Sequence, residues 1–284
     1  MKHPLLPTFL VLLLFTTTQI VGLLITRAYL AEEDGVIKVK GLPDIAGVRI
    51  ERPELNPVQG AVMITLAVFL GTLLVLFLIW LKAIFLWKLW YFVAVTLLLH
   101  VALASMLSSG ASLVIAVFLG LVKTFKPSTL LHNVTEILIY GGLSAIFVPI
   151  VKQPVVVLAL LIVISLYDAI AVWKTKHMIT LAKFQMEQKT FGGLMIPYKK
   201  SARVSHRRKY GGMAILGGGD MAFPLLFLGT LLLRDGFAAS MIVLPFIVLL
   251  LALVLWKGQK GRFYPAMPFL TIGCVLGYAL LLLV

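Results

Sequence analysis

The sequence predicts an all-α membrane protein, a polytopic bundle of about nine transmembrane helices, on three observations. Of the 284 residues, 61% are apolar and only 13% are charged, far from the average of a soluble domain. Apolar stretches close to the roughly 20 residues that a bilayer-crossing helix needs recur along the whole chain between short polar breaks. Those runs lack the period-two alternation of a barrel strand, and helical bundles and closed barrels are the only spanning solutions.

Taken in order, the expected spans are 4–26, 59–80, 86–107, 111–125, 130–151, 154–173, 213–233, 236–256 and 264–284. The first follows Lys2 and is too long for the core of a signal peptide; no clear small-x-small cleavage site follows, so it is read as a retained helix. The fourth is short. The ninth contains Gly273 and Gly277, a spacing that favours close helix contact, with Cys274 between them. A single cysteine excludes an intramolecular disulfide or a thiolate cluster. The chain reads as one membrane domain, 1–284: six spans in 1–173, a basic loop at 174–212, and three spans in 213–284.

The net charge of +14 would suit nucleic acid only on a folded polar surface, which this chain lacks, so no nucleic-acid partner is expected. Topology accounts for it. With nine spans, one side holds Arg27, Lys38, Lys40, Arg49, Arg52, Lys152 and Arg234, and the other 18 of the 25 lysines and arginines fall opposite. The poor side also carries Glu32, Glu33, Asp34, Asp44, Glu51, Glu54 and Asp235. The positive-inside rule then puts the N-terminus and the 174–212 loop in the cytoplasm and the C-terminus outside.

Three of the eleven acids fall inside the spans: Glu136, Asp168 and Asp220. Charge in hydrocarbon is costly and points to function. Glu136 ends the polar patch from His132, near the cytoplasmic start of its span, where interfacial water is in reach and a structural role is expected. Asp168 lies six residues before Lys174 and Asp220 eight after Gly212, about 9 and 12 Å deep at 1.5 Å per helical residue. Their spans are consecutive and antiparallel, so equal depth allows the two carboxylates to face each other. Close together in a low dielectric they cannot both ionise easily, so the pair shares one proton. The ionised member can take a proton from water while the protonated one polarises a peptide carbonyl and then helps the amine leave. Depth alone equally allows a polar staple between helices or the proton or cation relay of a transporter.

The surrounding residues separate these readings. The chain has Tyr167-Asp168, then Gly217-Gly218-Gly219-Asp220, then Pro265-Ala266-Met267 opening the last span on the same side. In order and in placement these resemble the YD, GxGD and PAL motifs of the presenilin and signal peptide peptidase family of intramembrane aspartyl proteases. The resemblance covers the whole chain in topology and about a dozen residues in motif, with Met267 where the family pattern has leucine, a volume-conserving change. It implies a presenilin-like bundle with Asp168 and Asp220 as the catalytic dyad. Tyr167, Gly217, Gly218, Gly219, Pro265, Ala266 and Met267 then support the dyad or bind substrate. The implied reaction uses an activated water, with no cofactor and no metal. The implied partners are transmembrane peptide or protein substrates within the lipid bilayer; the oligomeric state is not specified. The orientation resembles presenilin rather than signal peptide peptidase. The 174–212 loop is much shorter than presenilin's, which argues against maturation by cleavage within it. The chain looks like a compact prokaryotic or archaeal member able to work without partner subunits.

The motif residues also carry plain physical expectations. Glycines before Asp220 let water and an extended peptide approach, or let helices pack closely. Pro265 and Pro268 should make the chain enter the last span through a non-helical turn. Tyr167 is expected to pack at a helix interface, with a hydrogen bond near the dyad as the other reading. Within the basic loop, Phe191 to Tyr198 has an apolar centre with glycine and proline borders, and is expected to form a short exposed strand that pairs with unwound substrate; the alternative is a loop resting on anionic lipid. Asn133-Val134-Thr135 matches a glycosylation acceptor but falls on the cytoplasmic side. A zinc protease is disfavoured because no HExxH occurs and His3, His100, His132, His177 and His206 show no paired ligand spacing. A serine protease would need a partnered histidine, and Ser144 and the apolar-flanked His100 have no motif to join them.

Overall fold

The computed structural model describes residues 5–33, 36–45, 47–49, 51–175, 177–197, 213–258 and 264–283. The elements run α1 (Leu5–Ala28), β1 (Leu30–Glu33), β2 (Val36–Val39), α2 (Pro57–Trp80), α3 (Ile84–Ala104), α4 (Ser109–Phe125), α5 (Thr129–Val151), α6 (Pro154–Trp173), α7 (His177–Glu187), β3 (Gly193–Pro197), β4 (Met213–Gly217), α8 (Gly218–Asp235), α9 (Phe237–Lys257) and α10 (Met267–Leu281). Each expected span is met by a helix. By length and composition, α1, α2, α3, α5, α6 and α9 can cross a membrane, and α4 and α10 are shorter apolar helices.

Local chemistry sets the helix ends. Asn56 and Gln59 form a reciprocal capping box ahead of α2, and proline opens α2 and α6, where its missing N–H costs nothing. Pro149 sits inside α5 and removes the helical donor to the carbonyl four residues earlier. That carbonyl belongs to Ala145 and accepts instead from Arg52, whose guanidinium lies over the Tyr29 ring and also bonds the Lys40 carbonyl. The segment between β2 and α2 is thereby fastened across the ends of α1 and α5.

At the centre stands α8, buried on almost every face from Pro224 to Leu232 and packed against α1, α5, α6, α9 and α10. A helix apolar all round belongs inside a bundle. Cβ atoms at Gly273 and Gly277 would lie 2.8 Å from the Ile247 backbone and 3.0 Å from that of Val243, so both glycines serve the α9–α10 contact, as their spacing suggested, and Cys274 is core.

Three local expectations change. The seventh span was read as helical from 213, but Met213–Gly217 is β4, paired antiparallel with β3 in the register Leu194↔Leu216 and Ile196↔Ala214; helix begins only at Gly218. The 12 Å depth assigned to Asp220 assumed helical rise and so does not hold, because a strand advances about 3.3 Å per residue. Within the basic loop, α7 docks Phe184 against Trp87, whose Nε1 donates to Thr190 Oγ1 at 2.7 Å. The short hairpin β1–β2 follows α1. The expected strand at 191–198 exists over Gly193–Pro197 but is not exposed, since Leu194 and Ile196 are buried. Tyr198 and the basic stretch to Gly212, with His206, lie outside the described residues, as do His3, Lys2, Lys260 and Arg262.

Candidate active site

Asp168 lies on α6, five residues before its C-terminal end, and is buried. Its Oδ2 accepts a hydrogen bond at 3.3 Å from the backbone N–H of Met267. The prolines explain this contact. The Tyr264–Ala266 segment stays non-helical, as Pro265 and Pro268 predicted, so Met267 is the first residue of α10. The first turn of a helix has free N–H groups and a positive end, a natural seat for a carboxylate. One turn further into the bundle, Ser165 Oγ and Thr271 Oγ1 are 2.7 Å apart. Hydroxyl bonds of this kind hold the relative height of two helices where water is absent.

Asp220 is the third residue of α8 and half-buried. Its turn is made of glycine, and each glycine answers a different constraint. A Cβ at Gly218 would lie 2.5 Å from the Tyr140 hydroxyl and 3.2 Å from the Gly192 carbonyl. At Gly217 a Cβ would stand 3.3 Å from Asp220 Oδ2. Gly219 is exposed, with only Phe223 beside it at 3.7 Å. A side chain at Gly218 would therefore collide with its neighbours, one at Gly217 would crowd the Asp220 carboxylate, and Gly219 has room beside it. Pro224 withdraws the helical donor to the Asp220 carbonyl, while the buried Gln19 of α1 donates to the Met221 carbonyl at 3.1 Å. Gln19 was not anticipated; an amide inside an apolar span was its signal.

The helices of the two aspartates run antiparallel, pack on each other, and both pack on α10. Asp168 ends one and Asp220 begins the other, so both belong to the same end of the bundle. Ile164, Met221, Leu225 and Met267 share one core around them. Tyr167 turns to α2, with its ring edge-on to Phe69 at 4.7 Å and its hydroxyl 3.3 Å from Thr72 Oγ1. Tyr167 thus packs at the α2–α6 contact.

A second polar group stands beside the Asp220 turn and corrects two expectations. Glu136 does not reach interfacial water: it is 2% exposed and paired at 2.8 Å with Lys123, which is 0% exposed. Lys123 is thus a buried partner rather than a loop charge. Glu136 Oε2 also accepts the Gly193 N–H at 2.8 Å, and His132 Nε2 is 2.8 Å from the Gly193 carbonyl. Asn133, dismissed above with its glycosylation pattern, donates to the Met195 carbonyl at 2.9 Å and accepts from its N–H at 3.0 Å. One side of β3 is therefore occupied by α5 side chains and the other by β4. No edge of β3 remains for substrate. The outward backbone groups of the pair are those of Ile215 and Gly217 on β4, since alternate residues of an antiparallel strand face opposite ways.

His100 is wholly buried, with Nδ1 2.9 Å from Ser112 Oγ and Nε2 3.2 Å from the Asp44 carbonyl. Ser112 is also fully buried and donates to the Ser109 carbonyl, so the pair ties the 44–45 region to α3 and α4 and exposes no nucleophile. Among the described residues, no three of His, Cys, Asp and Glu gather as a metal site.

The family model described as signal-peptide peptidase, presenilin aspartyl protease matches residues 56–284. Two solved structures, both of a presenilin family intramembrane aspartate protease, match the fold. One, in a C222 crystal, has a TM-score of 0.59 at 20% identity and covers 96% of this chain and 99% of the other. The second, in a P2 crystal, has a TM-score of 0.59 at 21% identity and covers 98% and 96%. The comparison with curated proteins finds no match.

Proposed function

Because this chain belongs to the signal-peptide peptidase and presenilin aspartyl protease family, we propose that Asp168 and Asp220 are the two carboxylates with which it cleaves peptide bonds. The protein is an integral, multi-pass membrane enzyme, an intramembrane aspartyl protease whose substrates are transmembrane segments. The dyad assignment rests on one observation above all: the Asp168 carboxylate seats on the Met267 amide of the Pro265-Ala266-Met267 turn, at the end of the bundle where Asp220 opens α8.

In this reading the two carboxylates hold one proton and one water between them. The ionised member draws a proton from the water as its oxygen attacks the scissile carbonyl, while the protonated member donates to the carbonyl oxygen; on collapse, the carboxyl that took the water's proton passes it to the leaving nitrogen and the other recovers its proton from the tetrahedral hydroxyl as the C–N bond breaks. Neither cofactor nor metal takes part. The Met267 N–H keeps the Asp168 carboxylate oriented, and Gly217 and Gly219 leave room for water and an extended peptide. A helical substrate must unwind before its amides are accessible, and the outward edge of β4, leading directly into the Asp220 turn, is the strand it would join. This replaces the strand-pairing role expected for 191–198. The charge distribution supports nine spans in one membrane domain, with the N-terminus and the 174–212 loop cytoplasmic and the C-terminus outside. No observation favours ion-coupled transport.

The test is purified protein in detergent with a single-span peptide substrate. Cleavage is lost in Asp168→Ala and, separately, in Asp220→Ala. Turnover at the unsubstituted rate in either folded variant would refute the assignment.

A further inference from the structure

Beside the Asp220 turn lies a buried ionic group that the cleavage chemistry does not use, and its connections run one way. Lys123 on α4 holds Glu136 Oε1, and its ammonium also donates to Thr135 Oγ1 at 2.8 Å and to the His132 carbonyl at 3.3 Å. Glu136 Oε2 holds the Gly193 amide of β3. One helical turn on, on the same face of α5, Tyr140 is 5% exposed. Burying an ion pair this fully is costly; here the pair fixes the face of α5 from which Tyr140 projects. The Tyr140 hydroxyl oxygen occupies the space left by the missing Gly218 side chain, while Gly218 N–H donates to the Gly192 carbonyl at 3.1 Å. Asp220 follows two residues later.

We infer that Tyr140 is a positioning residue for Asp220: its hydroxyl, on the helix face that the buried Lys123–Glu136 pair also occupies, is the stop against which the Gly217–Gly218 turn seats, and so fixes where the Asp220 carboxylate stands. This rests on the dyad assignment above. Tyr140 acts through the backbone of the turn. Sensitivity to small displacements is expected, because a shift of about 1 Å in a reacting group can cost about a hundredfold in rate.

The experiment is a double-mutant cycle on the full chain in detergent, reading kcat and KM separately on a single-span peptide, per folded molecule. Tyr140→Phe lowers kcat about tenfold or more and leaves KM within about twofold, as expected for a group acting in the chemical step only. Gly218→Ala, whose Cβ would meet the hydroxyl, loses more, and the double variant Tyr140→Phe with Gly218→Ala recovers part of that loss because the obstructing oxygen is gone. A purely structural role would lower the folded fraction while leaving kcat per folded molecule unchanged, and that result overturns the inference. So does a double variant whose losses simply multiply. Should Gly218→Ala not fold, the kcat and KM of Tyr140→Phe decide alone. Asp220→Ala in the same assay separates the two levels: residual turnover there breaks the dyad assignment, whereas an inactive Asp220→Ala beside an unimpaired Tyr140→Phe removes only the role of Tyr140.

Discussion

Asp168 and Asp220 occupy neighbouring antiparallel helices, yet their surroundings are built by opposite means. Asp168 sits within a continuous helix, and what holds it comes from one partner, α10: the Met267 amide, with the Ser165–Thr271 bond one turn away. Asp220 sits at a strand-to-helix junction with three glycines before it and Pro224 after it, so its own segment is locally weak. Its support comes from α1 through Gln19, from Gly192 just before β3, and from α5 through Tyr140. A carboxylate on a rigid helix needs one fixed point. A carboxylate on a glycine turn needs several, and the one beside β3 is itself tied to a buried ion pair through the Gly193 amide.

The contrast can be broken or sharpened by substitution. The largest effects are at the carboxylates themselves: Asp168→Asn and Asp220→Asn should each lower kcat by about 10²–10⁴-fold, read by peptide cleavage on folded protein; a normal rate in one would end the symmetry of the pair. Next comes the support of Asp220. Lys123→Met leaves Glu136 charged and buried without its cation, and should destabilise the protein by about 3–5 kcal/mol, read by thermal unfolding in detergent; an unchanged melt would mean that Glu136 keeps its place by its neutral partners alone. Asn133→Ala strips both Met195 bonds and should cost about 1–3 kcal/mol, with faster amide exchange at Met195 and little change in α10. The support of Asp168 should prove more tolerant. Ser165→Ala removes one interhelical hydroxyl bond worth about 0.6 kcal/mol, a small shift in the melt. Smallest of all, Met267→Leu should cost less than about 1.5 kcal/mol and keep cleavage near normal, because Asp168 is bonded to the backbone of residue 267 rather than to its side chain.

The same contrast explains what could be foreseen. The helices of the bundle were legible because a bilayer demands one property over some 20 successive residues, and no local ambiguity survives such a window. Asp168 stood out for that reason: an acid in an unbroken apolar run is costly and calls for a partner or a function. The Met267 turn was legible from Pro265 and Pro268, which forbid helix at its start. At Asp220 the residue was visible and its setting was not. The run Met213–Gly217 is apolar and short, and periodicity cannot distinguish such a segment from helix.

By itself, then, the sequence determined a membrane-embedded helical bundle, an acid in an unbroken apolar run at Asp168, a glycine-flanked acid at Asp220, and a proline-broken entry to the last helix, because these depend on composition and on local backbone chemistry. Only the tertiary structure decided that 213–217 pairs with 193–197, that Asn133 closes the far edge of that strand, that Glu136 and Lys123 are buried together rather than wet, and that Tyr140 rests against Gly218. The physical reason is separation along the chain. A hydrogen bond between residues 57 or 62 apart leaves no periodic trace in either segment, and whether a lone polar side chain meets lipid headgroups, water or a partner is settled by what the fold brings beside it.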